Sequence, residues 1–321
     1  MKRNLRRKVT TVERIVNSAL TVCLCLVLAL GSVIAQSGTS SVSGTVVDPQ
    51  GKAVAGATIK LINSQNGFSR SQTTGENGGY NFASVPPDNY TLEAEATGFK
   101  KSVVSGVRAL VDKQATVEVK LEVGNLTEAV TVSAATSEAL INTQDASIGN
   151  NFQTTQITQL PLESRNILTL LSLQPGVTPD GYVTGSRADQ ANITLDGVDV
   201  NEQQGASAFS SVLRVSTETI EEFRVTTTNP NATQGRSSGA QVSLVTKSGT
   251  NQFKGSAFWS HRNTIFTAND FFNNSSIDEN TGQGVPRPKL LRNVYGATLG
   301  GPIQKEKLFF FYGFEGRRDA S

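Results

Sequence analysis

Few side chains in this sequence of 321 residues have the types and spacing that catalysis or metal binding needs. Its one histidine, His261, excludes any site that uses two imidazoles, such as the paired His and Glu ligands of a zinc peptidase. The acidic cluster Asp196-x-x-Asp199-x-Asn201-Glu202 lacks the spacing and the glycine of an EF-hand loop. We therefore expect no catalytic residue, no metal site and no cofactor, and we interpret the protein as a non-enzyme.

The first 35 residues have the features of an export signal. Basic residues precede an apolar run from Ala19 to Leu30, and Val33-Ile34-Ala35 follows as a candidate cleavage site. This run is shorter than the about 20 residues that a membrane-spanning helix needs. Both cysteines, Cys23 and Cys25, lie inside the run, so cleavage would leave a mature chain without thiols. We predict a signal peptide at residues 1–35 and an exported protein.

The charge balance excludes one class of partner. Lys and Arg total 29 against 27 Asp and Glu, a net charge of +2, so there is no broad basic field to hold a nucleic acid. Charged residues make up only 17% of the chain, a balance that is typical of extracellular β proteins.

Residues 41–122 show the period-two alternation of short strands. Val42, Gly44 and Val46 alternate with Ser and Thr, and the turn Asp48-Pro49-Gln50-Gly51 follows. Similar alternation recurs at 57–61, 80–82, 90–96 and 117–121. Short strands at regular spacing predict a β-sandwich.

These residues also resemble a known family, the carboxypeptidase regulatory-like domain. The matching segments are Gly44-x-Val46-x-Asp48-x-x-Gly51, Gly56-Ala57, Gly79-x-x-Phe82, Tyr90-x-Leu92 and Gly98-Phe99. Asp88-Asn89 stands where the family often has glycine, which affects only the type of turn. The resemblance implies a transthyretin-like Greek-key sandwich that has no peptidase activity of its own.

Residues 123–250 predict a mixed α/β domain. Ser164 is a candidate N-cap for a helix with the apolar face Ile167, Leu168, Leu170 and Leu171. Further along, the pattern predicts an extended segment at 136–151, a strand at 192–195 with an Asp196-Gly197 turn, a short helix at 217–222 and a last strand at 242–246.

The last 71 residues hold 12 of the 21 aromatic residues and alternate in three runs, at 253–259, 295–299 and 308–314. A long polar loop at 262–290 separates the first two runs, and a short turn made by 300–302 and 305–307 separates the second and third. This pattern is typical of outer-membrane β-barrel strands. Phe258, Phe309 and Phe311 break the alternation, which leaves a soluble sheet with an aromatic core as an alternative.

The second half of the chain resembles Oar-like TonB-dependent outer-membrane receptors. Segments 168–177, 193–198, 220–225 and 235–247 resemble the plug domain in family order, and 246–255, 293–301 and 308–313 resemble the first barrel strands. The resemblance marks Asp196, Gly197, Gly235, Gly239 and Lys247 as plug-motif residues. It implies a mainly β chain: a sandwich at 41–122, a TonB-box-like segment and plug at 123–250, and the start of an antiparallel barrel at 251–321. Because such barrels close roughly 22 strands, we expect a truncated product or fragment.

In such receptors a segment before the plug, the TonB box, pairs as an added strand with the periplasmic TonB protein. The candidate residues in this chain are Glu128, Ala129, Val130, Thr131, Val132, Ser133 and Ala134. An extended β-branched run suits strand addition, in which main-chain hydrogen bonds carry the affinity. An ordinary strand or linker at the edge of the sandwich is the alternative.

The resemblance implies a function and a location. It implies energy-coupled uptake of an unidentified bulky ligand such as a carbohydrate, a peptide or a chelate, in the outer membrane, with the sandwich and plug on the periplasmic side. The partners are then the TonB C-terminal domain, outer-membrane lipid and the ligand. Two alternatives stay open: a secreted or surface adhesion protein whose sandwich binds carbohydrate or protein, and an accessory subunit of a peptidase.

Overall fold

Strands provide most of the regular structure in the computed structural model. The structure describes residues 38–124, 129–133, 146–160, 162, 165–202, 204, 209–231, 234–235, 238–278 and 282–320. The predicted signal peptide, the predicted cap Ser164, and Glu128 and Ala134 lie outside the described residues. No helix in the described ranges has the length and apolar character that a membrane crossing requires.

The first domain is the sandwich. Its strands are β1 (Ser40–Val47), β2 (Thr58–Asn63), β3 (Phe68–Thr73), β4 (Gly79–Val85), β5 (Asp88–Glu95), β6 (Lys101–Ala109), β7 (Gln114–Thr116) and β8 (Val119–Lys120). One sheet has the order β4-β1-β7, with β8 also on β1, and the other has the order β3-β2-β5-β6. Alternate residues of both sheets, among them Val42, Leu61 and Tyr90, meet in one buried core. The predicted β-sandwich is therefore confirmed.

An added strand, β9 (Ala129–Ser133), completes the second sheet at its β6 edge. It runs parallel to β6, with Ala129 opposite Lys101 and Ser133 opposite Ser105. Most of the candidate TonB box is thus a strand of the sandwich in this structure.

The central domain, which we define as residues 146–246, contains β10 (Ile148–Gln153), β11 (Asn192–Leu195), β12 (Val198–Asp199), β13 (Ile220–Thr228) and β14 (Gln241–Thr246). The strand order is β10-β13-β14-β11-β12, with β11 parallel to β14 and the other pairs antiparallel. A short α-helix (Thr154–Gln159) and a 3-10 helix (Ile167–Leu173) supply Ile157, Leu170 and Leu171 to its core.

Three predictions for the central domain need correction. The helix predicted near Ser164 is a 3-10 helix, and Asn166 caps it by accepting a hydrogen bond from the Leu168 N–H. The helix predicted at 217–222 stops after the 3-10 turn Thr217–Thr219, because Ile220, Phe223 and Val225 are buried in β13 at the middle of the sheet. Ile148–Asn151, expected in an extended segment between domains, pairs with β13.

The third sheet consists of β15 (Lys254–Asn263), β16 (Leu291–Gln304) and β17 (Leu308–Ala320), all antiparallel. Residues 264–290 connect the first two strands and include a short α-helix, Phe271–Ser275. The predicted turn at 300–302 is wrong in detail, because Gly300–Pro302 continue β16 and only residues 305–307 form the turn.

Candidate functional site

The sheet β15–β17 has two chemically different faces. One face, the outer face, carries the exposed side chains of Trp259, Tyr295, Leu299, Tyr312 and Phe314. The opposite, inner face is largely polar and includes Arg262, Arg292 and Asp319 in one row across the three strands. An apolar, aromatic outer face and a polar inner face are typical of strands in an outer-membrane barrel.

The aromatic residues that break the alternation lie on the inner face. Phe258 packs beneath the Arg165 guanidinium of the central domain, whose central carbon lies 4.6 Å from the ring centroid. Phe311 lies on the same side of β17 as Gly313, where an added Cβ would come within 2.3 Å of the Thr219 side chain of the central domain. The aromatic exceptions therefore mark the surface against which the central domain docks.

Arg165 is the main polar link between the central domain and the inner face. Its Nη2 lies 3.2 Å from Glu315 Oε2 on β17, and its Nε donates to the same oxygen at 3.3 Å. The Ser216 hydroxyl donates to that oxygen at 2.6 Å, and Arg165 also donates to Thr217 Oγ1 at 2.8 Å. A charge-assisted network of this kind fixes orientation as well as distance.

Sequence reasoning missed Arg165 and Glu315. They are 150 positions apart, and the local pattern around each residue is ordinary. The backbone at Arg165 has φ of 52°, an uncommon conformation for a residue other than glycine. A conformation of this kind marks a position that surrounding contacts hold in place, but no residue type in the sequence signals it.

A cavity of about 780 Å³ lies beside this network, between the central domain and the inner face. Its apolar floor includes Ile167, Leu168, Leu244 and Val294. Five arginines and two glutamates also line it: Arg165, Arg214, Arg262, Arg292, Arg317, Glu202 and Glu315. The cavity therefore combines an apolar floor with a cationic wall.

The five plug-motif residues have structural roles that are visible in the central domain. Asp196 (φ 49°) and Gly197 (φ 82°) form the predicted tight turn, whose positive φ angles suit a two-residue hairpin loop. The Asp196 carboxylate accepts hydrogen bonds from the Thr246 N–H at 2.9 Å and the Thr246 hydroxyl at 2.7 Å. This residue therefore ties the β11–β12 hairpin to the end of β14.

Of the other three plug-motif residues, the two glycines lie close to neighbouring groups and the lysine makes one hydrogen bond. A Cβ at Gly235 would lie 2.1 Å from Asn192 Nδ2, and one at Gly239 would lie 2.5 Å from the Gln190 carbonyl oxygen. The Lys247 ammonium donates to the Glu218 carbonyl at 2.8 Å. None of the five residues lines the cavity.

The candidate TonB box lies away from this site, at the edge of the sandwich. Residues 129–133 occupy β9, the last strand in its sheet among the described residues. The Val132 side chain is 47% exposed, whereas Val130 is partly buried. One edge of β9 pairs with β6, and within the described chain no strand covers the other edge.

A buried carboxylate joins the sandwich to the central domain. Glu222 on β13 accepts hydrogen bonds from the Val111 N–H at 3.1 Å and from Asn151 Nδ2 at 2.6 Å. Burial raises the pKa of the Glu222 carboxyl, and these two hydrogen bonds offset part of the rise. Nearby, the Ser243 hydroxyl donates to the Asp112 carboxylate.

The residues considered for metal chemistry have other partners. His261 Nδ1 is 2.8 Å from Asn293 Oδ1, and Asp199 Oδ1 accepts from the Asn201 N–H at 2.9 Å. Over the part of the chain that the structure describes, no group of three or more His, Cys, Asp or Glu side chains could hold a metal ion.

Two parts of the chain match known domain families. Residues 41–122 match the carboxypeptidase regulatory-like domain, and residues 245–321 match the outer membrane beta barrel domain. A curated relative, the TonB-dependent transporter Oar of Myxococcus xanthus, is 29% identical over 294 residues. The match covers 86% of this chain but 26% of Oar, so the chain spans about a quarter of its relative's length.

Solved structures show only weak likeness. A minor pilin of Streptococcus agalactiae is 17% identical, with 28% of this chain and 46% of the pilin covered and a TM-score of 0.23. A hydroxyquinol 1,2-dioxygenase of Pseudomonas putida is 12% identical, with 27% and 57% covered and a TM-score of 0.22. Values this low carry no functional argument.

The sequence matches bear out three expectations: a mainly β chain, the regulatory-like sandwich at 41–122 and outer-membrane barrel strands at the C-terminal end of the chain. They also support a location in the outer membrane. The chain is a homologue of the TonB-dependent transporter Oar, with a carboxypeptidase regulatory-like domain and an outer membrane β-barrel domain.

Proposed function

We propose that this protein is an energy-coupled outer-membrane transporter of a bulky ligand, that it is not an enzyme, and that the central domain is its plug. One observation carries the proposal. The central domain docks on the polar inner face of a sheet whose outer face is apolar and aromatic. A domain held inside a barrel wall obstructs the passage, which is what a plug does.

The contact between the central domain and the barrel wall is suited to release. It relies on the half-buried Arg165–Glu315 pair and on the hydrogen bonds that Arg165 Nε and the Ser216 hydroxyl donate to Glu315. The buried core of the central domain contains no residue of β15, β16 or β17. A polar contact of this kind separates at a lower cost than a shared hydrophobic core would. Force applied to the central domain is therefore expected to move it before it unfolds.

We propose that the periplasmic TonB C-terminal domain applies that force through residues 128–134. The edge of β9 that no described strand covers offers main-chain groups for an added strand, and exposed Val132 offers a side chain for selectivity. The parallel pairing with β6 keeps the segment extended, so little ordering is required when TonB binds. Energy from the inner membrane would then reach the plug along the chain.

Proline substitution tests the TonB contact. The double variant Val130→Pro/Val132→Pro removes two backbone donors from β9 and is expected to abolish binding to a purified TonB C-terminal domain. The matched control Val130→Thr/Val132→Thr keeps both donors and the β-branched shape, so it should bind within about twofold of the native chain. Circular dichroism checks that the sandwich stays folded. Unchanged binding by the proline variant would refute the assignment of residues 128–134.

A further inference from the structure

We propose that the cavity between the central domain and the inner face binds an anionic group, a carboxylate or a phosphate, of the transported ligand. This inference rests on the proposed transport function, because it assigns a substrate class to the same passage. It is carried by four arginines that line the cavity in addition to Arg165: Arg214, Arg262, Arg292 and Arg317.

The strand register places like charges together. Arg262 on β15 is directly opposite Arg292 on β16, and both lie on the inner face. Like charges at directly opposite positions destabilise a sheet. Asp319, directly opposite Arg292 in the same row, offsets part of this charge, and a bound anion would supply a further counter-charge.

Arg292 and Arg317 share a single carboxylate of the protein. Arg292 Nε lies 3.2 Å from Asp319 Oδ1, and Arg317 Nε donates to Asp319 Oδ2 at 2.8 Å, so two guanidiniums share one carboxylate. Glu315 belongs to the Arg165 network, and Glu202 is the other carboxylate that lines the cavity. The shared carboxylate leaves guanidinium N–H groups for a further acceptor.

Arg214 completes the cationic wall from the central domain. Its side chain is exposed, and it makes no hydrogen bond or ion pair to any residue that the structure describes. A guanidinium presents a planar set of donors that matches carboxylate and phosphate oxygens in pairs. Arg214 can therefore contact, from the central domain, an anion that Arg292 and Arg317 bind from the inner face of the sheet.

The position of the cavity suits entry of the ligand from the side opposite the sandwich. The short turn at 305–307 lies at the sandwich end of the sheet, since the Glu306 N–H donates to Asn251 Oδ1 at 2.8 Å and the Asn251 N–H donates to the Gln65 carbonyl at 2.7 Å. Arg262, Arg292 and Arg317 lie at the other strand ends, next to the connection 264–290. With the sandwich in the periplasm, these arginines would face incoming ligand.

The size and the floor of the cavity limit what enters it. A volume of about 780 Å³ accommodates a small molecule or one end of a larger ligand. The apolar floor, with Leu168 and Val294 among its residues, favours an anionic group attached to an apolar or ring-shaped part. An acidic peptide end or an acidic sugar fits this description.

Calorimetry on the full chain in detergent tests the site with two probes, citrate and inorganic phosphate. We expect at least one probe to bind and Arg214→Gln to weaken that binding about tenfold, through the loss of a charge-assisted contact. Arg292→Gln/Arg317→Gln should abolish it. The control Arg318→Gln should bind within about twofold of the native chain, because residue 318 is on the outer face. Binding of citrate alone identifies a carboxylate site, and binding of phosphate alone identifies a phosphate site.

Two results would overturn the inference: no heat from either probe, or equal binding by the native chain and Arg214→Gln. Because Arg214 has no described partner, its replacement is not expected to affect folding, and circular dichroism checks this. The proline variant of β9 separates this inference from the proposed function. It should lose TonB binding and keep anion binding, since β9 is not part of the cavity.

Discussion

Arg165 shows how one residue can connect two domains whose cores are separate. Its guanidinium contacts Glu315 on the barrel wall and lies over Phe258. Both members of the ion pair are about a quarter exposed, so water screens the pair only in part. The contact is therefore worth more than an ordinary surface ion pair.

A double-mutant cycle with Arg165→Met and Glu315→Gln measures that contact. We expect a coupling energy of about 1 to 3 kcal/mol from denaturant unfolding, because each single change removes the nearest charge partner of a half-buried group, and Glu218 lies farther from Arg165, at 3.8 Å. The exposed pair Arg187–Asp189 is the control, and its coupling should stay below about 1 kcal/mol. Equal coupling in the two cycles would contradict the role given to Arg165.

We expect Glu222 to make the free energy of unfolding depend on pH. Burial raises its pKa above the ordinary 4.5, so the folded state keeps a proton that the unfolded state has already released. The free energy of unfolding should therefore fall as pH rises from about 4.5 through the raised pKa. In denaturant titrations between pH 4 and 8, Glu222→Gln should show a smaller fall than the native chain. Glu118→Gln, at an exposed position, should leave the fall unchanged.

The sequence predicts single residues well where the structure depends on neighbours along the chain. The Asp196-Gly197 turn is an example, because a two-residue loop requires positive φ at adjacent positions. The Arg165–Glu315 pair and the facing arginines 262 and 292 depend on the docking of distant segments. Such contacts leave no local pattern in one sequence.

At the scale of elements, the alternation of polar and apolar residues revealed some strands of the sandwich and missed others, including β6, which has one buried face. Alternation revealed β1, β2 and β5, whose inner residues fill the sandwich core. It missed β3, because nearly all of its side chains are exposed. It also missed part of β13, where burial on both faces removes the polar alternation and Thr217–Thr219 gives a helical start.

Gly44 tests the close approach of strands in the sandwich. A Cβ at this position would lie 1.8 Å from the Val117 carbonyl oxygen and 2.7 Å from the Tyr80 hydroxyl. We expect Gly44→Ala to lower the free energy of unfolding by about 1 to 3 kcal/mol, because β1 must move away from residue 117. Gly284→Ala is the control, since nothing lies within 4 Å of its added Cβ. Thermal unfolding of both variants measures the difference, and equal midpoints would contradict the packing.

At the scale of the molecule, the outer face of β15–β17 explains why so many aromatic side chains are exposed. Trp259 is 69% exposed and Tyr312 is 63% exposed, on the face away from the central domain. Lipid provides the apolar surroundings that water does not. The outer-membrane location and the two-faced sheet are thus consistent with each other.

An arginine on that face should impair assembly in the membrane. Ala297 is opposite Phe314 on the outer face, and a charge there costs about 2 to 4 kcal/mol near the middle of the bilayer. We expect Ala297→Arg to reduce recovery of the protein in the outer-membrane fraction, whereas Ala297→Leu should be recovered like the native chain. Normal recovery of the arginine variant would indicate that this face meets water.

The central claim, that TonB pulls on residues 128–134, is tested most directly by disulfide trapping in cells. Val132→Cys on β9 is combined with single cysteines along the edge strand of the TonB C-terminal domain, and Thr116→Cys on the other sheet of the sandwich serves as the control. The account predicts a covalent adduct with Val132→Cys, increased when transported ligand is present, and none with Thr116→Cys. Equal adducts from both positions, or none from either, would contradict it.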